Sequence, residues 1–95
     1  MNVSELPTML ALTSNYPNPF NPSTTIDFTV PRDGRAVVKV FDMLGKEVAT
    51  VFNDAAVPGK QYAVPFNASA LASGVYVSQL EFAGGRVTKQ MILLK

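Results

Sequence analysis

Apolar residues recur at every second position in short runs, and Gly or Pro cuts off each run within about ten residues. Thr24 to Val30 is the clearest case, with Ile26, Phe28 and Val30 on one side and Thr25, Asp27 and Thr29 on the other. A period of two places alternate side chains on opposite faces of an extended chain, so this run reads as a half-buried strand. Arg35 to Asp42 repeats the pattern, with Ala36, Val38 and Val40 inward; Val37 and Phe41 share the other face with Lys39, which makes that face only partly wet. Lys46–Phe52, Gln61–Phe66, Val75–Phe82 and Arg86–Leu94 supply further strands, and Met9–Thr13 is a short apolar segment suited to a sheet edge. Pro65 places its strand at an edge or a bulge, because proline has no N–H to give to a ladder. Turns fall at Pro31–Gly34, Asp42–Gly45, Asn53–Lys60 and Gly84-Gly85, and Asn67–Gly74 reads as a crossover with at most one helical turn. No long stretch keeps a 3.6-residue period. The expectation is an all-β, immunoglobulin-like β-sandwich of six to seven short, mainly antiparallel strands. It occupies residues 9–95 as one domain behind a tail or linker at 1–8.

Composition removes most chemistry. The chain has no histidine and no cysteine, so the side chain that titrates nearest neutral pH, the thiolate nucleophile, any disulfide and the commonest metal ligands are all missing. The carboxylates Asp27, Asp33, Asp42 and Asp54 are spread over strands and turns, without the facing pair that glycoside hydrolysis needs. No Asp-x-Asp-x-Asp-Gly loop is present for calcium. No catalytic residue, cofactor or metal is therefore expected. Residues 55–95 hold Lys60, Arg86, Lys89 and Lys95 against Glu81 alone. Four scattered cations are too few to track phosphates, which argues against nucleic acid as a partner. No apolar run approaches the ~20 residues of a membrane-spanning helix. Met9–Leu12 is too short for the core of a signal peptide, so if the protein is exported its signal is expected on chain not included here. The aromatic residues are scattered rather than set in a flat row, which suits core packing better than glycan binding. Asn67-Ala-Ser69 matches the N-glycosylation pattern and is expected to be bare.

The distinctive segment runs from Asn15 to Ser23: Tyr16, Pro17, Asn18, Pro19, Phe20, Asn21 and Pro22 form a block that can be neither helix nor central strand. It reads as a rigid structural loop with Tyr16 and Phe20 folded back as plugs on the core. Together with Val40–Val48, Ser73–Tyr76 and Thr88–Lys95, in that order, this block closely resembles the C-terminal sorting domain of type IX secretion substrates. The likeness covers roughly residues 10–95. A related likeness is to the immunoglobulin-like C-terminal domain of flagellar hook-capping proteins. Gly-Val-Tyr alone is a weak signal, whereas the proline-rich block is specific.

The resemblance implies delivery rather than chemistry. A cargo domain would be joined covalently on the N-terminal side, cross the periplasm, and be read by the outer-membrane translocon. It would end on the cell surface or outside the cell, in many cases after a sortase removes the sorting domain and attaches the cargo. Carried over by position, the recognition candidates are Gly74, Tyr76, Gly84, Gly85, Lys89, Met91, Ile92, Leu93, Leu94 and Lys95. Physically, an apolar last strand flanked by Lys89 and Lys95 would offer backbone donors and acceptors by strand addition if its border is free. A free border would also permit a weak dimer. The competing role is that of an accessory immunoglobulin-like surface module that binds glycan or spaces domains.

Overall fold

In the computed structural model, which describes residues 10–95, the alternating runs become seven strands. They are β1 (Ala11–Leu12), β2 (Ser23–Thr29), β3 (Gly34–Phe41), β4 (Glu47–Ala56), β5 (Tyr62–Asn67), β6 (Gly74–Phe82) and β7 (Gly85–Leu93). All strand pairings are antiparallel. One sheet has the order β1-β2-β5 and the other β4-β3-β6-β7. The two stack as an all-β sandwich, as the alternation predicts. The tail or linker assigned to residues 1–8, and Met9, lie outside the described residues.

The inward sets are the predicted ones. Ile26, Phe28 and Val30 from β2 and its end meet Ala36, Val38 and Val40 from β3, and each of the six is at most 1% exposed. Burying a side chain of Val, Ile or Phe size contributes about 1.5–3 kcal/mol, so these rows are the main support of the sandwich. Phe28 stacks on Tyr62 at 5.0 Å and meets the edge of Phe52 at 5.1 Å, locking β2, β5 and β4 together.

Three details depart from the sequence reading. Strand β4 runs to Ala56, through residues read as loop, because Asn53–Ala56 continue to pair with Gly34–Val37. The pairing slips twice, between Val38 and Lys39 and between Val40 and Phe41, leaving Val51 and Val48 as extra residues. These bulges break the period of two and hide the strand's true length. The last hairpin turns on Ala83-Gly84 rather than Gly84-Gly85: both have positive φ (52° and 84°), and Gly85 already pairs with Phe82. Two consecutive left-handed residues are what a two-residue turn between twisted strands requires. The crossover, by contrast, is as expected: Ala68–Leu71 closes a single hydrogen-bonded turn.

Tyr16 is the third departure. It is 52% exposed, not a plug on the core. The bridge Tyr16↔Thr25 lays it along the solvent side of β2, where its hydroxyl lies 3.1 Å from both carboxylate oxygens of Asp27. Gln61 Nε2 donates to the same carboxylate at 2.9 Å. Asp27, on the outward face of β2, is thereby covered to 7% exposure. Phe20 does what Tyr16 does not: it is 1% exposed and packs 6.2 Å from Phe66.

Candidate recognition surface

β7 ends its sheet, so one of its two borders has no strand beside it. Which backbone groups face that border follows from the pairing with β6. Gly85, Val87, Lys89, Met91 and Leu93 stand opposite Phe82, Leu80, Ser78, Tyr76 and Gly74, the hydrogen-bonded pairs. The even-numbered residues therefore turn their N–H and C=O outward.

The lower half of that border is filled by the proline-rich block. Phe20 N–H donates to Ile92 O at 2.9 Å, and Leu94 N–H donates to Phe20 O at 3.0 Å, making a short parallel bridge. One step up, Ile92 N–H donates to the side-chain oxygen of Asn18 at 2.9 Å, and Asn18 Nδ2 makes a longer contact of 3.5 Å with Gln90 O. A side-chain amide has the same donor and acceptor as a peptide group, so Asn18 continues the strand that Phe20 begins. The peptide bonds before Pro17, Pro19 and Pro22 are all cis. Asn15 and Thr24 hold the start of the block: Asn15 Nδ2 donates to Pro17 O and to Thr24 Oγ1, which itself donates to Pro17 O. Strand addition at Met91–Leu94, expected from the sequence, is opposed by this cover, because both outward groups of Ile92 and the N–H of Leu94 already have partners.

Above Gln90 the border changes. Among the described residues no strand or loop bridges to Arg86 or Thr88, and residues 88–90 are exposed.

The predicted recognition residues divide into two sets. Met91 and Leu93 are fully buried, and Tyr76 is 7% exposed with its hydroxyl donating to Ala72 O at 2.6 Å. Lys95 is spent on the crossover: its ammonium donates to Ser69 O (2.8 Å) and Leu71 O (2.9 Å), and its N–H to Ser73 Oγ (2.9 Å). These residues shape the end of the domain. Gly74, Gly84, Gly85, Lys89, Ile92 and Leu94 keep exposed or partly exposed surface. They do not form one cluster, since Gly85 and Leu93 sit at opposite ends of a strand about 27 Å long at the usual rise per residue.

The sequence reading missed two features. One is Asn18 as a border cap, which no local pattern announces because its partners lie more than seventy positions away. The other is an apolar surface at the lower end of the four-stranded sheet. Phe41 faces Val77 and Val75 faces Ile92 across adjacent strands, all four half-buried on the outer face. Met43 (71% exposed) and Leu44 (94%) extend it past the end of β3. The sharing of one face by Val37, Phe41 and Lys39 was its only sign.

Among the described residues no helix is long and apolar enough to cross a membrane, a statement that leaves crossing by strands untouched. The contact of Tyr16 with Asp27 has an electrostatic effect. The hydrogen bond to the Asp27 carboxylate, reinforced by desolvation and by that group's charge, holds the Tyr16 phenol above its ordinary pKa.

Comparison with known families gives one match: the model of the secretion system C-terminal sorting domain covers residues 14–94. No curated protein and no solved structure matches the chain.

Proposed function

The chain belongs to the secretion system C-terminal sorting domains, and from that premise we propose that the type IX export machinery reads the exposed side chains along β7 and the turn before it. The domain is a C-terminal sorting signal for type IX secretion, a delivery tail joined to a cargo that is exported to the surface or released. In our reading the partners are the outer-membrane translocon and a sortase, met after passage through the periplasm. Gly84, Gly85 and Lys89 present the upper contact; Gly74, Ile92 and Leu94 present the lower one. Tyr76, Met91, Leu93 and Lys95 act indirectly, by holding that surface in shape. The role is carrying rather than catalysis.

One observation carries this reading. Two of the segments that carry the family likeness, the proline-rich block and the last strand, are hydrogen-bonded to each other through Phe20 and Asn18. A rigid block that fixes the end of β7 supplies a surface ordered before it meets its reader, which lowers the entropy cost of docking.

The test places residues 1–95 behind a signal-bearing reporter in a host with a type IX system. The wild-type fusion is expected outside the outer membrane. Leu94→Glu combined with Ile92→Glu, checked for an unchanged melting temperature, is expected to leave the reporter in the periplasm. Export of that fusion at the wild-type level, or equal export after deletion of residues 89–95, would defeat the reading.

A further inference from the structure

We infer that the uncovered upper half of β7, from Gly85 to Gln90, is a strand-addition site for an extended acidic segment of a partner protein. Among the described residues the outward N–H and C=O of Arg86 and Thr88, and the N–H of Gln90, are hydrogen-bonded to no strand, although β1 of the other sheet comes near β7, while both outward groups of Ile92 and the N–H of Leu94 are bonded to Asn18 and Phe20. The cover thus stops partway, and the same border goes on unpaired. An added strand would continue the line that Phe20 and Asn18 begin.

Charge selects the occupant. β7 carries Arg86 and Lys89 and no carboxylate. Among the described residues the one ion pair joins Lys39 to Glu47, on other strands, so neither β7 cation is in a salt bridge. Arg86 projects from the outer face, beside a surface hollow of about 330 Å³ that Arg35, Glu81 and Phe82 also line. Lys89 shares the parity of buried Met91 and Leu93, so it projects from the opposite face at the same border. Two cations three positions apart and on opposite faces match two carboxylates three positions apart on an added strand, one toward each face. A second copy of this chain fits poorly: β7 against β7 brings four cations onto adjoining strands with no carboxylate on either, and like charges at a border oppose pairing. The identity of the partner as a protein of the export machinery rests on the sorting role above; the site itself does not.

The test uses the 95-residue chain and a blocked heptapeptide of Thr and Val with Glu at its second and fifth positions. Amide exchange followed by NMR is expected to show the Arg86, Thr88 and Gln90 amides slowed at saturating peptide, with little change at β4 or β5. Thr88→Pro removes an outward N–H that the fold does not use, and is expected to weaken binding at least tenfold while β6–β7 amides stay protected. Arg86→Glu with Lys89→Glu should reverse the preference toward a peptide carrying Lys in place of Glu. The proposal falls if the peptide binds Thr88→Pro as well as wild type, if protection appears on β4 or β5 instead, or if β7 amides are already slowed in a dimer without peptide. Secretion of the Thr88→Pro fusion separates the two readings. Normal export despite lost peptide binding would assign the site to a partner outside export and leave the sorting role standing. Lost export of Leu94→Glu with intact peptide binding would do the reverse.

Discussion

Two halves of one strand border behave differently. At Ile92 both outward backbone groups, and at Leu94 the N–H, are satisfied by Asn18 and Phe20; at Arg86 and Thr88 no strand among the described residues pairs with them, and cations stand nearby. The strand is continuous and its pairing with β6 is unbroken from Gly85 to Leu93. The difference therefore lies in what the chain brings alongside. A border can be closed by seventy-residue-distant packing or defended by charge, and this domain uses one device on each half. The closed half stores stability, and the open half holds capacity for a partner.

The largest effect expected is at the closed half. Phe20→Ala removes a ring that is 1% exposed and packed on Phe66, and should cost about 3–5 kcal/mol in urea denaturation. A loss under about 1 kcal/mol would mean that the block does not anchor the fold. Proline scanning then compares the halves directly. Leu94→Pro deletes the donor to Phe20 O and is expected to cost about 1–3 kcal/mol, whereas Thr88→Pro deletes an unpartnered donor and should cost under about 1 kcal/mol. Equal costs would erase the distinction. Asn18→Ala should come next, at about 1 kcal/mol for its exposed hydrogen bond to Ile92 N–H, with the Ile92 amide exchanging several-fold faster. An unchanged Ile92 exchange rate would show that the cap is cosmetic.

The smallest effect concerns the same block where it lies on β2. The Tyr16 phenol, bonded to Asp27, has its pKa raised. A group whose folded pKa is raised stabilises the fold in its protonated form, fully so below its unfolded pKa and decreasingly as pH climbs through the folded value. Ultraviolet titration of folded protein should place one tyrosine above the value seen in Asp27→Asn. Coincident titrations would remove Asp27 as the cause.

Much of this architecture was legible in order and type. Ile26, Phe28 and Val30, and Ala36, Val38 and Val40, alternate so cleanly that their faces could be assigned directly, because the side-chain period of a strand is strict. Pro65 marked β5 as an edge or a bulge from its missing N–H, and β5 does end its sheet. Legibility failed where position depends on distant partners. Tyr16 and Phe20 are both aromatic and sit in the same block, yet only Phe20 is buried. The bridge of Tyr16 to Thr25 and that of Phe20 to Leu93 decide which is which. In β4, the slips at Val48 and Val51 masked the alternation that would have carried the strand to Ala56. The recognition candidates were named by likeness in sequence, which does not separate a buried Met91 from an exposed Leu94.

The remaining sheet margins are each spoiled in their own way: β1 spans two residues, β5 carries Pro65, and β4 is kinked by two slips against β3. A molecule that accepts a foreign strand on one flank and refuses it on the others cannot act as both plug and socket. Crowded together in a narrow compartment, such domains can form a heterotypic pair, while the described margins β1, β5 and β4 are poorly shaped to extend it into a head-to-tail filament.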